Sequence, residues 1–200
     1  RRIGVVTGSR SDYGIYRPVL REIKANSNLD LCILACGSHL SPVFGTTVSE
    51  IEADGFNVVE RLNTLTDDDT PSGIARSMGN GLRQFGEAYA RSELDILLVL
   101  GDRYEMFAAA AAAVPYNIPI AHIHGGELTE GAIDDAFRHA ITKMSTFHFA
   151  ATQAYAVRIQ QMGEPKDRIF VSGAPGLQNI PYMAQLDLEQ LQELVGIPLE

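Results

Sequence analysis

The chain has 200 residues, which is enough for one ordinary domain with a substantial core. Hydrophobic residues make up 46% and charged residues 20% of it, a balance that excludes an intrinsically disordered chain. The net charge of −9 excludes a general affinity for nucleic acids or anionic membranes, although backbone NH groups and single arginines can still bind a phosphate locally.

Short apolar runs alternate with amphipathic stretches along the chain. The runs are rich in Val, Ile and Leu with little alternation, which is typical of parallel strands covered on both faces. We predict strands over residues 3–7, 29–36, 57–62, 95–100, 118–123, 147–150 and 169–171. We predict helices near residues 16–24, 46–53, 72–91, 104–114, 134–144 and 155–162. Repeated strand–helix units of this kind predict an α/β fold with a doubly wound parallel sheet.

The end of the chain differs from the rest. Asp187 is the expected N-cap of a short amphipathic helix, which Gly196 would end. We therefore divide the chain into a domain over residues 1–176 and a connector over residues 177–200.

The cellular location is predicted from three features. Cys32 and Cys36 lie in an apolar run and are interpreted as buried thiols in a reducing compartment. The first ten residues, RRIGVVTGSR, are too polar for a secretory signal. The uncharged stretch 106–126 contains two prolines and two histidines, so we do not expect it to span a membrane. We expect a cytoplasmic protein.

Unusual polar residues follow the predicted strands. GSRSDYG follows the first strand, GSHLS the second, GDRYE the fourth and HGGE the fifth. Ligands of an open α/β sheet bind beyond the carboxyl ends of its strands. We therefore predict one site at one edge of the sheet, formed by residues 8–12, 37–39, 102–103 and 122–127.

The first of these loops suits an anion. Gly8 allows a ligand to approach the backbone, and Arg10 can pair with a phosphate. In the alternative interpretation, Arg10 lies on a solvated turn and Asp12 caps the helix.

Asp102 follows the end of the fourth predicted strand by two residues. A carboxylate in this position is partly desolvated and can act as a general acid or base. Arg103 either neutralises that charge or faces a substrate phosphate. The competing interpretation makes Asp102 the N-cap of the alanine-rich helix that follows.

The loop after the fifth strand carries most of the titratable groups. Asp134 and Asp135 stand four residues before Arg138 and His139, a spacing that stabilises helices by ordinary ion pairs, and Asp134 could also cap. A cluster of carboxylates beside histidines would instead suit acid–base chemistry. The histidine and cysteine spacing does not favour a metal, and we expect neither a metal nor a cofactor.

Several of these motifs together resemble one family. TGSRSDYGIYRPVL, LGDRYEMFAAA, AHIHGGELTEGAIDDAFRHAITKMS and VSGAPGLQNI resemble the hydrolysing UDP-N-acetylglucosamine 2-epimerases of sialic-acid-type sugar biosynthesis, over nearly the whole chain. The resemblance implies a glycosyltransferase-B-like fold of two Rossmann-like domains with the active site between them. The chain would be the N-terminal half, inactive by itself. Its partners would be a UDP-sugar, the C-terminal domain and further copies in a homo-oligomer.

The resemblance also implies a reaction and the residues that perform it. UDP leaves carbon 1 by anti elimination, and water adds to the resulting glycal to give N-acetylmannosamine. The implied catalytic and supporting residues are Asp102, Glu127, Asp134, His124, His39, Arg138 and His139. The implied substrate-binding residues are Gly8, Arg10, Asp12, Arg103 and His122.

Three points remain open under this resemblance. Some family members have a catalytic glutamate in place of His124. Here either His124 or Glu127 would take the role of that glutamate, and we favour Glu127 as the acid. The same reaction on a UDP-linked 2,4-diacetamido-2,4,6-trideoxy sugar is an alternative. A non-catalytic sugar-nucleotide-binding or assembly module is another.

Overall fold

The structure is a computed structural model that describes residues 1–66, 68–182 and 187–196. Seven strands form one sheet in the order β3-β2-β1-β4-β5-β6-β7, and every neighbouring pair is parallel. The strands are β1 Arg2–Thr7, β2 Asp30–Cys36, β3 Val58–Leu62, β4 Ile96–Leu100, β5 Ile120–Ile123, β6 Phe147–Ala150 and β7 Ile169–Val171. The order grows outward from β1 in both directions, which confirms the predicted doubly wound fold.

Helices cover both faces of the sheet. They are α1 Arg10–Ala25, α2 Val48–Ala53, α3 Pro71–Ser92, α4 Tyr104–Ala113, α5 Asp134–Met144, α6 Gln153–Gln161 and α7 Leu188–Val195. Short 3-10 turns lie at Gly37–Leu40, Pro42–Phe44, Val114–Tyr116, Lys166–Arg168 and Pro175–Tyr182. Residues of α3, α4 and α5 form the core on one face, and residues of α1 and α2 form the core on the other.

The alanine run of α4 permits close packing between helices. Five of its alanines are at most 4% exposed. A Cβ atom at Gly81 of α3 would lie only 3.0 Å from Cβ of Ala108. The small side chains therefore bring α3 and α4 together over the sheet.

Helix α1 begins at Arg10, six residues before the predicted start. Ser9 caps it by accepting a hydrogen bond from the backbone NH of Asp12. Pro18 lies inside the helix and has no NH to donate to the carbonyl of Gly14. Asn179 Nδ2 donates to that carbonyl instead, at 2.8 Å. A side chain distant in sequence thus compensates for the proline and allows the helix to continue.

The remaining predicted elements are present with small shifts. Strand β5 begins at Ile120 instead of residue 118, immediately after Pro119. The short helix near the end is confirmed: Asp187 caps α7 with its side chain, and Gly196 ends the helix with φ of +70°. Part of the predicted connector, residues 183–186 and 197–200, lies outside the described residues.

Two of the location features can be compared with the structure. Cys32 and Cys36 are buried free thiols. Across the described ranges, no helix is both long enough and apolar enough to cross a membrane.

Candidate active site

The carboxyl ends of all seven strands meet at one edge of the sheet, which confirms that the predicted loops share one edge. Two groups of bonded side chains lie there. The Arg138 network, above β4 and β5, consists of Asp102, His124, Glu127, Thr129 and Arg138. The His39 hub, above β1 and β2, consists of Thr7, His39 and Thr47 together with the adjacent pair Gly8 and Asp12, which are bonded to each other.

Arg138 is the centre of its network, with a side chain only 7% exposed. Its Nη2 atom donates to Asp102 Oδ2 and, at 2.9 Å, to Thr129 Oγ1. Its Nη1 atom donates to the carbonyl of His124 at 2.7 Å and lies 3.8 Å from Glu127 Oε2. One guanidinium of α5 therefore joins the loops that follow β4 and β5.

Asp102 bonds within this network and does not cap α4. The N-cap position belongs to Arg103, which makes no side-chain capping bond. Asp102 Oδ2 accepts from both Arg138 and Thr129. The capping interpretation of Asp102 is therefore wrong, and its carboxylate instead connects the end of β4 to Thr129 and to α5.

His124 and Glu127 form a pair at the start of the β5–α5 loop. His124 Nδ1 is hydrogen-bonded to Glu127 Oε1, and the two side chains are 16% and 24% exposed. His124 has φ of +63°, a strained conformation for a residue with a Cβ. The turn continues through Gly126, where a Cβ would lie 2.5 Å from the carbonyl oxygen of Tyr155. The sharp turn thus places an accessible acid–base pair at the sheet edge.

The acidic start of α5 divides into two roles. Asp135 Oδ1 accepts from the backbone NH of Thr129 at 3.0 Å, and its Oδ2 lies 3.5 Å from His139 Nε2. The Asp135–His139 helix pair is therefore confirmed. The predicted ion pair between Asp134 and Arg138 is wrong, because the guanidinium of Arg138 bonds to Asp102 instead. Asp134 is half-buried, and none of the hydrogen bonds found among the described residues involves its carboxylate.

His39 is the buried centre of its hub. It has no exposed surface, and its Nε2 and Nδ1 atoms are hydrogen-bonded to the hydroxyls of Thr7 (2.9 Å) and Thr47 (2.8 Å). Burial lowers its pKa to about 4. His39 is therefore a neutral imidazole that ties β1 to the segment before α2. Its predicted catalytic role stays a prediction.

Asp12 and Gly8 are bonded to each other. Gly8 NH donates to Asp12 Oδ2 at 3.2 Å, and burial raises the pKa of Asp12. The interpretation of Asp12 as the helix cap is wrong, because Ser9 occupies that position. The pair shapes the β1–α1 turn, at the edge where a ligand would bind.

His122 lies beneath the edge rather than on it. Its ring is fully buried within β5, and its Nε2 atom is 2.7 Å from the carbonyl oxygen of Gly101. Burial lowers its pKa to about 3, so the ring is neutral. It supports the turn that presents Asp102. A direct contact with substrate stays a prediction.

The predicted phosphate-binding arginines are both paired. Arg10 is 75% exposed and lies 3.1 Å from Glu50, while Arg103 makes two bonds to Glu105 at 3.0 and 3.2 Å. Next to Arg103 a groove of about 730 Å³ opens at the same edge. Among its lining residues are Ser38, Val43, Phe44, Leu65, Ile74 and Tyr104.

The sequence did not single out three residues with structural roles at this edge. Glu105 binds Arg103, Thr47 binds His39 and Thr129 binds both Asp102 and Arg138. Glu105 was visible in the GDRYE motif as an acidic residue in the first helical turn. The two threonines carry no charge and had no distinguishing signal. No group of three His, Cys, Asp or Glu within the described ranges is arranged to hold a metal ion.

Comparison with known proteins identifies relatives over most of the chain. The model of the UDP-N-acetylglucosamine 2-epimerase family matches residues 21–197. The chain is 43% identical to UDP-N,N'-diacetylbacillosamine 2-epimerase (hydrolyzing) of Legionella pneumophila, over 90% of the chain and 48% of the relative. It is 36% identical to GDP/UDP-N,N'-diacetylbacillosamine 2-epimerase (hydrolyzing) of Campylobacter jejuni, over 97% of the chain and 51% of the relative. It is 38% identical to polysialic acid biosynthesis protein P7 of Escherichia coli, over 94% of the chain and 50% of the relative. The chain thus spans about half the length of these curated relatives.

Solved structures with the same fold are also longer. UDP-GlcNAc 2-epimerase from Neisseria meningitidis, bound to UDP-GlcNAc, matches with a TM-score of 0.81 and 20% identity, over 90% of this chain and 48% of that one. Methanocaldococcus jannaschii UDP-GlcNAc 2-epimerase in complex with UDP-GlcNAc and UDP matches with a TM-score of 0.79 and 21% identity, over 91% of this chain and 50% of that one. These similarities show the fold, a Rossmann-like half of glycosyltransferase-B-like proteins.

Proposed function

The chain belongs to the UDP-N-acetylglucosamine 2-epimerase family, and we propose that it supplies the acid–base half of the active site of a hydrolysing UDP-sugar 2-epimerase. The observation that carries this proposal is the Arg138 network. It brings two carboxylates, Asp102 and Glu127, and the ring of His124 to one guanidinium at the ligand-binding edge of the sheet.

The proposed reaction has two stages. In the first, the bond between carbon 1 and the UDP oxygen breaks, a base removes the proton on carbon 2, and a double bond forms between the two carbons. In the second, water adds its oxygen to carbon 1 while a proton returns to carbon 2 from the opposite face. UDP and the free 2-epimeric sugar are the products. Both stages require proton transfer and stabilisation of positive charge at carbon 1.

The network offers a group for each requirement. Glu127 and His124 share a hydrogen bond and are both accessible, so we assign proton transfer to this pair with Glu127 as the acid. Asp102 accepts two hydrogen bonds on one oxygen, and we assign its carboxylate to the stabilisation of an oxocarbenium-like centre. Asp134 is the third carboxylate of the set. We assign Arg10 and Arg103 to the diphosphate, which they would reach by exchanging their present carboxylate partners.

We propose UDP-N-acetylglucosamine as the substrate, with N-acetylmannosamine and UDP as products. Purified full-length protein incubated with UDP-N-acetylglucosamine should release UDP, and the proton NMR spectrum of the products should show N-acetylmannosamine. No UDP release from any UDP-linked 2-acetamido sugar would contradict the proposed function.

A UDP-linked 2,4-diacetamido-2,4,6-trideoxyglucose is a second candidate substrate. Two relatives carry the name of N,N'-diacetylbacillosamine epimerases. The groove beside Arg103 favours this sugar, because Val43 and Phe44 in its wall are 78% and 58% exposed. Burying one methyl group is worth about 0.8 kcal/mol, and this sugar carries two methyl groups that UDP-N-acetylglucosamine does not. The value of kcat/KM for the diacetamido sugar divided by that for UDP-N-acetylglucosamine distinguishes the candidates. The Phe44→Ser variant should lower this ratio only if the groove holds the two additional methyl groups.

We further propose that the complete site includes a second domain. The proposal is supported by relatives and solved structures about twice as long as this chain. Residues 1–176 would form the first domain and residues 177–200 the connector. The 200-residue chain by itself should bind UDP weakly and release none from UDP-sugars, as isothermal titration and an activity assay would measure.

A homo-oligomer and a cytoplasmic location complete the proposal. Leu82 of α3 is 48% exposed, and Val114 and Tyr116 nearby are 49% and 44% exposed. Tyr116 bonds to the carbonyl of Gly86 on α3, so these apolar groups lie on neighbouring surfaces that a second copy could cover. Light scattering of the full-length protein tests the oligomer. The free thiols of Cys32 and Cys36 support a reducing compartment.

A further inference from the structure

We propose that Thr129 is a positioning residue that orients Asp102, so that Oδ1 of Asp102 is the oxygen available to the substrate. The inference rests on the proposed function, because it concerns the same reaction. It is carried by the hydrogen bonds around the Thr129 hydroxyl, which occupies the space between Asp102 and Arg138.

The direction of each bond follows from the chemistry of the partners. A guanidinium can only donate, so Arg138 Nη2 donates to Thr129 Oγ1 at 2.9 Å. A hydroxyl has one proton, and the proton of Thr129 is directed to Asp102 Oδ2 at 2.9 Å. Thr129 therefore accepts from the cation and donates to the anion of the same ion pair.

Both donors meet Asp102 on a single oxygen. Arg138 Nη2 and Thr129 Oγ1 both bond to Oδ2. In the part of the chain that the structure describes, no hydrogen bond to Oδ1 is seen. Two donors in different directions prevent the carboxylate from rotating, whereas Arg138 by itself would leave that rotation free.

Thr129 is held in place by a second contact. Its backbone NH donates to Asp135 Oδ1 at 3.0 Å, and Asp135 Oδ2 lies 3.5 Å from His139. The connection between β5 and α5 that carries Thr129 has no regular secondary structure for most of its length. The Asp135 contact therefore fixes the threonine against the first turns of α5 and makes its hydroxyl a rigid support.

The test compares two substitutions in the full-length protein. Thr129→Val keeps the shape and removes the hydroxyl, whereas Thr129→Ser keeps the hydroxyl and removes the methyl group. We expect Thr129→Val to lower kcat for UDP release about 10- to 100-fold, the usual effect of losing a hydrogen bond to a charged group. KM should stay close to that of the unsubstituted protein, and the melting temperature should fall by only a few degrees, because Arg138 keeps Asp102 and the His124 carbonyl as acceptors. Thr129→Ser should retain kcat within about threefold.

Three results would overturn the proposal. The first is an unchanged kcat in Thr129→Val. The second is a Ser variant as slow as the Val variant, which would assign the effect to the methyl group. The third is a loss of kcat in Thr129→Val that accompanies a large fall in melting temperature, as a purely structural role requires.

A readout independent of activity separates this inference from the proposed function. Crystal structures of both variants should show the Asp102 carboxylate rotated in Thr129→Val and unchanged in Thr129→Ser. An unrotated Asp102 in the Val variant overturns the positioning role, even if the enzyme is active. Failure of the unsubstituted protein to release UDP from any UDP-sugar overturns the proposed function, while the two crystal structures still decide the role of Thr129.

Discussion

The Arg138 network and the His39 hub lie at the same edge of the sheet, but they differ in charge and exposure. Asp102, His124 and Glu127 are 19%, 16% and 24% exposed and are arranged around a guanidinium. His39 has no exposed surface, and its two ring nitrogens are hydrogen-bonded to the hydroxyl groups of Thr7 and Thr47. Both regions contain residues that the family resemblance connects with activity. The comparison shows that a titratable residue in a motif can exchange protons with a ligand only where the fold leaves it accessible.

Charge balance explains why the two regions differ. Arg138 is nearly buried, and a buried guanidinium needs acceptors, which Asp102, Thr129 and the His124 carbonyl provide. The His39 hub has no comparable charge at its centre, and burial favours the neutral imidazole there. We therefore expect substitutions in the network to affect the rate and substitutions in the hub to affect the stability.

The largest expected effect is that of Glu127→Gln in the full-length protein. The change keeps size and polarity but removes the exchangeable proton, so turnover should fall about 10²- to 10⁴-fold. UDP affinity should change little, because the diphosphate is assigned to Arg10, Arg103 and the second domain. Kinetics, UDP titration and the melting temperature measure the three quantities. A stable variant with near-normal turnover would move proton transfer to His124.

The turn that carries the network gives the next prediction. Gly126→Ala places a Cβ 2.5 Å from the carbonyl oxygen of Tyr155 at a residue with φ of +78°. The free energy of unfolding should therefore fall by roughly 2–5 kcal/mol. Gly131→Ala is the matched control, since Gly131 has φ of +80° and no atom within 4 Å of the new Cβ. It should lose only about 1–2 kcal/mol. Urea unfolding of both variants measures the difference, and equal losses would contradict the close approach at Gly126.

The buried histidines His39 and His122 predict a pH dependence of stability. The folded-state pKa values of His39 and His122, about 4 and about 3, lie below the ordinary value of 6.5, so the unfolded chain takes up protons first as the pH falls. Their contribution to stability is complete above about pH 6.5 and is lost as the pH falls to about 4 for His39 and to about 3 for His122. Each histidine contributes up to about 1.4 kcal/mol per pH unit. Urea unfolding at several pH values measures the slope. His39→Gln should make the slope shallower, and an unchanged slope would contradict a buried neutral His39.

The smallest expected effect is that of Arg10→Ala. Its ion pair with Glu50 is exposed, so stability should change by less than about 1 kcal/mol. KM for the UDP-sugar should nevertheless rise if Arg10 contacts the diphosphate, with kcat nearly unchanged. Arg83→Ala, which removes an exposed helix pair with Glu87, is a suitable control. Equal KM values for the two variants would remove Arg10 from the binding residues.

Much of the fold could be predicted because it depends on local pattern. Short, mostly apolar runs mark all seven strands, and the alternation with amphipathic stretches implies a parallel sheet. A start near residue 16 would place Pro18 in the first turn of α1, where its missing NH costs no hydrogen bond, but the helix begins at Arg10 and Pro18 lies inside it. The compensating donor, Asn179, is 165 residues away from Gly14. No local rule could have identified it.

The sequence by itself determined which residues follow the strands. Because the carboxyl ends of parallel strands lie at a common edge, it also predicted where Asp102, Glu127 and His39 lie relative to the sheet. Only the tertiary structure decided which partners they have and which of them face solvent. Spacing along a helix relates Arg138 to Asp134, yet the guanidinium binds Asp102, which is 36 residues away. That choice depends on the adjacency of β4 and β5 and on the packing of α5 against them, because a nearly buried cation binds the acceptors that the surrounding fold supplies.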